Sequence, residues 1–324
     1  MSDIIRKFTS KYGIIIILVL LFAFFSFTSS AFLSSTNLIN IARQMAMLGI
    51  SAVGMTFVML TGGIDLSVGS IISLTGIVTA ISMVTLHLNM IIAILLGLAV
   101  AVIVGLINGI AVTKFKIPAL ITTLGTMTSV RGLSFIFTGG MPVFGFPNSF
   151  NVFGRGSIVG VPIPVIIMTV IFFIGWITLN RTKYGRYLYA IGGNDEAARL
   201  SGINVPKNLL LAYLFSGLLT GIAGIIMLSR VNSGQPTTGT GFEMDVITAV
   251  VLGGINIAGG EGNFIGFIYG ILIIGVLSNG MVLLNVYDYY QMLIKGLVLL
   301  FAVGIDKYYK NKKYIERIQQ SEVL

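Results

Sequence analysis

NRTKYGRYLYAIGGNDEAARLSGINVP, residues 180–206, is the longest charged interruption between two otherwise apolar halves of a 324-residue chain. Its centre reads as a short helix. The side-chain oxygen of Asn194 can accept an N–H of the first turn that has no partner inside the helix. Asp195 and Glu196 follow, where the helix dipole favours negative charge. Gly202 stands where a left-handed residue is wanted to close the helix. Between the caps run Glu196, Ala197, Ala198, Arg199, Leu200 and Ser201, and the two alanines would let another surface approach closely. Alone, the stretch is either an ordinary capped helix in a connecting loop or a docking element. The apolar remainder decides between them.

Hydrophobic residues make up 56% of the chain and charged residues only 10%, with mean hydropathy +0.98. A soluble domain carries roughly 25% charge, so an all-α integral membrane protein is expected. The net charge of +9 does not point to nucleic acid, because the cations stand in short clusters beside apolar spans and form no basic stripe interleaved with aromatics. Cysteine is absent, which excludes disulfides, thiolate nucleophiles and cysteine metal sites. No metal site is expected. The single histidine, His87, lies at the end of an apolar run beside Asn89 and reads as interfacial. The first apolar run, 13–33, exceeds the 7–15 residues of a signal-peptide core and matches the about 20 needed to span a bilayer. It reads as a retained first helix.

Further spans are expected at 43–60, 67–86, 90–112, 118–137, 161–179, 207–228, 244–258, 264–284 and 289–305, about ten in all. An even count puts both termini on one side. With the N-terminus inside, fifteen Lys and Arg fall inside and two, Arg155 and Arg230, outside, while Arg43, Arg131 and Lys295 lie within or at the edge of spans. Cations concentrate on the cytoplasmic side, so both termini are expected there, with loop 180–206 and a tail at 306–324. The longer external segments are then 138–160 and 229–243, and the whole chain, 1–324, reads as one membrane domain.

Two spans are interrupted by glycine. The second runs into Gly62-Gly63-Ile64-Asp65-Leu66-Ser67, and the eighth, which is short, into Gly253-Gly254-Ile255-Asn256. The tetrads GGID and GGIN are 191 residues apart, 253 minus 62. Paired glycine-broken segments mark the translocation site in many transporters, although glycine is common here and chance repetition is the alternative. Asp65 either caps the helix that restarts after it, the preferred reading, or lines a pathway. Arg131 and Lys295 stay unpaired at this level. Thr122, Thr123, Thr126, Asn108, Asn279 and Gln291 could hydrogen-bond a hydroxyl-rich solute, or equally hold helices together.

No P-loop, zinc-protease or nucleophile-elbow motif occurs, so no catalytic residue is expected and the chain has no nucleotide cradle of its own. A multispan protein without energy chemistry, but with a capped helix facing the cytoplasm, suggests energy supplied by a soluble motor.

Glu196-Ala197-Ala198-x-x-x-Gly202 resembles the EAA loop by which ATP-binding-cassette importer permeases dock onto their ATPase; it departs in ending Val205-Pro206, without the fuller Ile-x-Leu-Pro. LTGGIDLSVGS at 60–70, AIGGNDEAARLSGINV at 190–205, QPTTGTGFEMDVITAVVLGGINIAGG at 235–260 and YYQM at 289–292 are together similar to the ribose-type sugar permeases, the ribose/xylose/galactoside family of binding-protein-dependent inner-membrane components. The likeness covers about residues 32–306. It implies a bacterial cytoplasmic-membrane permease for a simple sugar, with ribose first and other sugars, nucleosides or branched-chain amino acids as alternative cargo. It also implies two ATP-Mg-using ATPase subunits inside, a sugar-binding protein outside, and a second permease copy, identical or related. A carrier working alone would have no need of the capped loop.

Overall fold

The computed structural model describes the backbone of residues 2–321 and the side chains of residues 13–304. It is helical apart from a two-residue hairpin, β1 (Ser157–Ile158) with β2 (Val161–Pro162), and a short 3-10 turn at Asn148–Asn151. The helices are α1 (Ser2–Thr28), α2 (Ser35–Leu60), α3 (Val68–Val84), α4 (Met90–Thr113), α5 (Ala119–Thr138), α6 (Val152–Arg155), α7 (Ile163–Arg181), α8 (Lys183–Gly193), α9 (Asp195–Leu200), α10 (Val205–Val231), α11 (Phe242–Leu252), α12 (Phe264–Leu283) and α13 (Asp288–Ser321). Among the described residues six of these (α2, α4, α5, α7, α10 and α12) are long and apolar enough to cross a membrane. Gly13–Thr28 and α3 are shorter apolar helices. The chain is a multi-pass membrane protein.

A helix lies on each apolar run, with boundaries that local chemistry moves. The first ends at Thr28 rather than near residue 33, and α2 begins at Ser35 rather than Arg43, because Ser34 caps it by accepting the Asn37 N–H. The eighth run is helical only to Leu252. At 1.5 Å per residue, its eleven residues reach about half of a 30 Å hydrocarbon core. Helix α13 continues through the expected tail to Ser321; residues 322–324 of that tail lie outside the described residues.

Helix α10 is central, packed between α4 and α2 and against α3. Small residues let backbones meet: a methyl added to Gly105 of α4 would overlap Tyr213 O and lie 3.2 Å from Gly217 Cα, and one on Gly109 would lie 3.1 Å from Leu210 Cα. Close approach of this kind substitutes for a hydrophobic driving force that helices lack in lipid. The outer faces of α4, α5 and α7 stay apolar and exposed, through Leu95, Ile103, Ile121, Phe173 and Ile174.

Segments 138–160 and 229–243 differ from simple exposed connections. They pair with each other through Val143 and Gly234, and Ser229 Oγ accepts the Gly154 N–H while donating to Phe150 O. Beyond Gly234 the chain runs back along α3, where Ser73 Oγ donates to Pro236 O and Gly239 abuts Gly69. Ser229, Ser233 and Pro236 are buried. The polar composition that suggested solvent is used here against other backbone.

Candidate functional site

Both glycine breaks and the polar loop meet at one place. Helix α2 ends with Thr61 as its C-cap, and Gly62 reverses the chain with φ +81°. Helix α11 ends at Leu252 with Gly253 as its C-cap, and Gly254 reverses the chain with φ +84°. The left-handed residues are therefore 192 apart (254 minus 62), one more than the tetrads, so backbone and letters repeat out of register. After Gly254 the chain closes a small loop. The Asn256 N–H donates to Glu261 O, and Asn256 Oδ1 accepts the Ala258 N–H.

The Gly260 N–H donates to Leu60 O at 2.9 Å, satisfying a carbonyl at the end of α2 that has no partner within the helix. A methyl group on Gly192, near the end of α8, would overlap both Leu60 O and the Gly260 nitrogen. One on Gly259 would stand 2.6 Å from Gly62 N, and one on Gly260 2.7 Å from Gly193 N. Gly62, Gly192, Gly193, Gly259 and Gly260 thus pack backbone to backbone. Beside them Tyr189 of α8 donates its hydroxyl to Gly262 O at 3.2 Å. Burial raises that phenol above its ordinary value, which keeps it a donor.

Loop 180–206 holds two helices where the sequence suggested one. Thr182 caps α8 by accepting the Gly185 N–H, and Leu188 and Ile191 turn inward. The helix around Glu196 is α9, and Asn194 Oδ1 caps it at 2.9 Å from the Ala197 nitrogen. Gly202 follows in the left-handed conformation. Asp195, Glu196, Ala197, Arg199 and Leu200 are exposed, Leu200 by 82%. Ala198 is not available to another surface, because it is buried in a cluster with Ile191 and Val205.

Asp65 is fully buried. Its Oδ1 accepts the Ser67 N–H at 3.0 Å and the Ser67 hydroxyl at 2.5 Å, while Oδ2 accepts the Ser216 hydroxyl of α10 at 2.8 Å. Asn108 of α4 donates to Ser67 Oγ at 2.9 Å. The carboxylate does close a turn as a cap would, although the regular helix starts later, with Ser67 in the capping position. It also ties α3 to α10, which one sequence does not reveal.

The remaining expected residues lie elsewhere. Gly253 packs against Phe267 of α12. Asn279 exchanges two amide hydrogen bonds of 3.0 Å with Asn37 of α2. Gln291 donates to Val286 O at the start of α13. Each of these joins parts of the chain. Sequence reasoning missed the partners of the two cations within spans. Arg131 Nη1 donates to Pro236 O and Thr238 O at 2.7 and 2.6 Å, and Lys295 bonds Asp245 Oδ2 at 2.7 Å. The available signal was that a cation in a span needs an acceptor, with Glu243 and Asp245 the carboxylates nearest the eighth run. Among the described residues no cluster of His, Asp or Glu could hold a metal.

The family model described as "Branched-chain amino acid transport system / permease component" matches residues 37–303. The chain is 47% identical over 303 residues to a protein of Escherichia coli (strain K12) named ribose import permease protein RbsC, covering 92% of this chain and 93% of that one. It is 44% identical over 313 residues to the protein of that name from Haemophilus influenzae, covering 95% and 97%. With the Bacillus subtilis protein of that name it shares 44% over 308 residues, 94% of each. No solved structure matches this chain.

Proposed function

This chain belongs to the branched-chain amino acid transport system / permease component family, and we propose that it is the membrane subunit of an ATP-binding-cassette importer for a simple sugar, ribose first. The similarity to ribose import permeases over more than nine-tenths of both chains carries this reading. The family description names amino acids, whereas the relatives of 44–47% identity over nearly the whole chain are named for ribose import. As a permease component the chain is not itself an enzyme. ATP and magnesium are used by ATPase subunits on the cytoplasmic side, and a sugar-binding protein delivers cargo outside, over 138–160. Two permease copies, identical or related, enclose the pathway in the bacterial cytoplasmic membrane.

Ten crossings with both termini inside fit the distribution of cations. The eighth crossing is then the irregular, turn-rich segment 233–241 continued by the half-length α11. Broken elements of this kind form substrate sites in transporters because their backbone lines a cavity rather than lipid. The docking surface is the exposed face of α9: Asp195, Glu196, Ala197, Arg199 and Leu200, held by the caps Asn194 and Gly202. When ATP closes the motor subunits, α8 and α9 move together. Gly192 and Gly193 pass the motion to Gly259, Gly260 and Gly62, because glycine backbones in direct contact leave no soft side chain to absorb it.

Vesicles holding the complete complex, given ATP inside and offered labelled ribose or labelled leucine, should accumulate ribose alone. Leucine uptake without ribose uptake would overturn the cargo. Glu196→Lys and Gly202→Val should each abolish uptake in inserted protein; normal uptake and normal ATPase co-purification in both would overturn the docking face.

A further inference from the structure

Asp245 borders two cavities, of about 160 and 190 Å³. The smaller holds its ion pair with Lys295. The larger lies between α2, the end of α10, the start of α11 and α12, and its walls include Gln44, Met47, Arg230, Phe242, Asp245 and Ser278. Four of its ten lining residues are polar: Gln44, Arg230, Asp245 and Ser278.

Their hydrogen bonding is incomplete. Ser278 is 4% exposed, and its hydroxyl has no partner among the described residues. A helical serine ordinarily satisfies itself on the carbonyl four residues back. Lys295 occupies Oδ2 of Asp245, and no described side chain bonds Oδ1. The Gln44 amide and the Arg230 guanidinium likewise make no side-chain hydrogen bond among the described residues. Gln44, Arg230 and Asp245 are half-buried, whereas the buried Ser278 hydroxyl has no partner, and a buried polar group left so costs about 1–3 kcal/mol. That hydroxyl, with three further polar groups beside the same cavity, marks a place where a ligand supplies partners.

The inventory describes that ligand. Arg230, Gln44 and Ser278 donate; Asp245, Gln44 and Ser278 accept. Vicinal hydroxyls, each donor and acceptor at once, match such an alternation. Phe242 supplies an apolar wall for the C–H face of a ring. Arg230 and Asp245 set opposite charges in the one wall, so charge alone selects neither an anion nor a cation, and the phosphate arm of the test below separates an anion from a neutral ring. A cavity of about 150 Å³ holds a six-carbon ring, so one of about 190 Å³ admits a pentose. We propose that this cavity is a transit site for a small, neutral, polyhydroxylated ring of pentose size. The proposal rests on the import reading above and specifies where in the chain the cargo is held.

The chain has no cysteine, so Ser278→Cys and Gln44→Cys each introduce a single thiol, with Val159→Cys, on the exposed hairpin, as reference. The full chain in vesicles with its ATPase and binding protein is labelled by a small methanethiosulfonate reagent, with D-ribose, proline, inorganic phosphate or nothing added. Ribose should slow labelling several-fold in the Ser278→Cys and Gln44→Cys variants and leave Val159→Cys unchanged. Equal rates with and without ribose in both variants, or thiols that do not react, overturn the site. Slowing by proline or phosphate as strong as by ribose overturns the neutral polyhydroxy assignment. Uptake measured on the same vesicles separates the two readings. ATP-driven ribose uptake without protection removes the cavity and keeps the importer; protection without uptake does the reverse.

Discussion

The break after α2 and the break after α11 are written almost alike, GGID and GGIN, and their last residues go to opposite uses. Asp65 is sealed inside the bundle, where three donors from two elements hold its carboxylate. Asn256 bonds within its own loop, to Ala258 and Glu261, and stays partly exposed. The first break is therefore an anchor, closed locally by Ser67 and tied across the bundle by the Ser216 hydroxyl. The second is a self-contained loop that rests on Leu60, Gly192 and Gly193 through backbone and can shift as a unit. One charged letter in place of a neutral one separates a break bonded into the bundle by its side chain from one that rests on backbone contacts.

The contact between the two breaks is the place to disturb that relation most. Gly192→Val would drive a branched side chain into Leu60 O and the Gly260 nitrogen, and overpacking of this kind costs about 1–3 kcal/mol. The expected result is loss of ribose uptake by about tenfold or more in protein that still inserts and still binds its ATPase; unchanged uptake would mean that motion does not pass through the glycines. Removing the anchor comes next. Asp65→Ala strands two hydroxyls and an N–H in the bundle, at about 1–3 kcal/mol each before relaxation, and thermal unfolding of purified protein should show a fall of several degrees. Asp65→Asn should lose clearly less, since one carbonyl oxygen can still accept from Ser67. Equal losses would show that charge, not hydrogen bonding, is what the site needs.

Lys295→Met leaves Asp245 without its counter-ion. Removing one partner of a buried pair costs about 3–5 kcal/mol, and the partial exposure of this one places the loss below that range. A drop in melting temperature smaller than that of Asp65→Ala is expected, and no drop would mean that the bridge does not hold α11 to α13. The smallest effect belongs to the movable break. Asn256→Ala removes a turn bond worth about 0.5–1.5 kcal/mol, so unfolding should barely change while uptake falls modestly. A loss as large as that of Asp65→Ala would erase the distinction between the two breaks.

The parts legible in the sequence are the ones built from neighbours. The cap of Asn194 on Ala197 and the left-handed Gly202 depend on residues within one or two turns and are present as read; a helix lies on each apolar run too, though with shifted boundaries and a truncated eighth. What escaped is long-range. Asp65 with Ser216, Arg131 with Pro236 and Lys295 with Asp245 are separated by 151, 105 and 50 residues, and no local pattern couples such positions. Helix α8 escaped because its basic face (Lys183 and Arg186) hid a short apolar stripe through Leu188 and Ile191. The chain around Pro236 escaped because Gly, Ser and Thr suit a solvent-exposed turn and a tightly packed backbone equally well.

The most direct measurement is uptake of labelled ribose by vesicles holding this chain, its ATPase and its binding protein, against vesicles holding the chain alone. Accumulation only in the complete set, and only with ATP inside, is the result expected of a permease driven through α9. Accumulation by the chain alone would contradict it, and would leave the capped loop without a purpose.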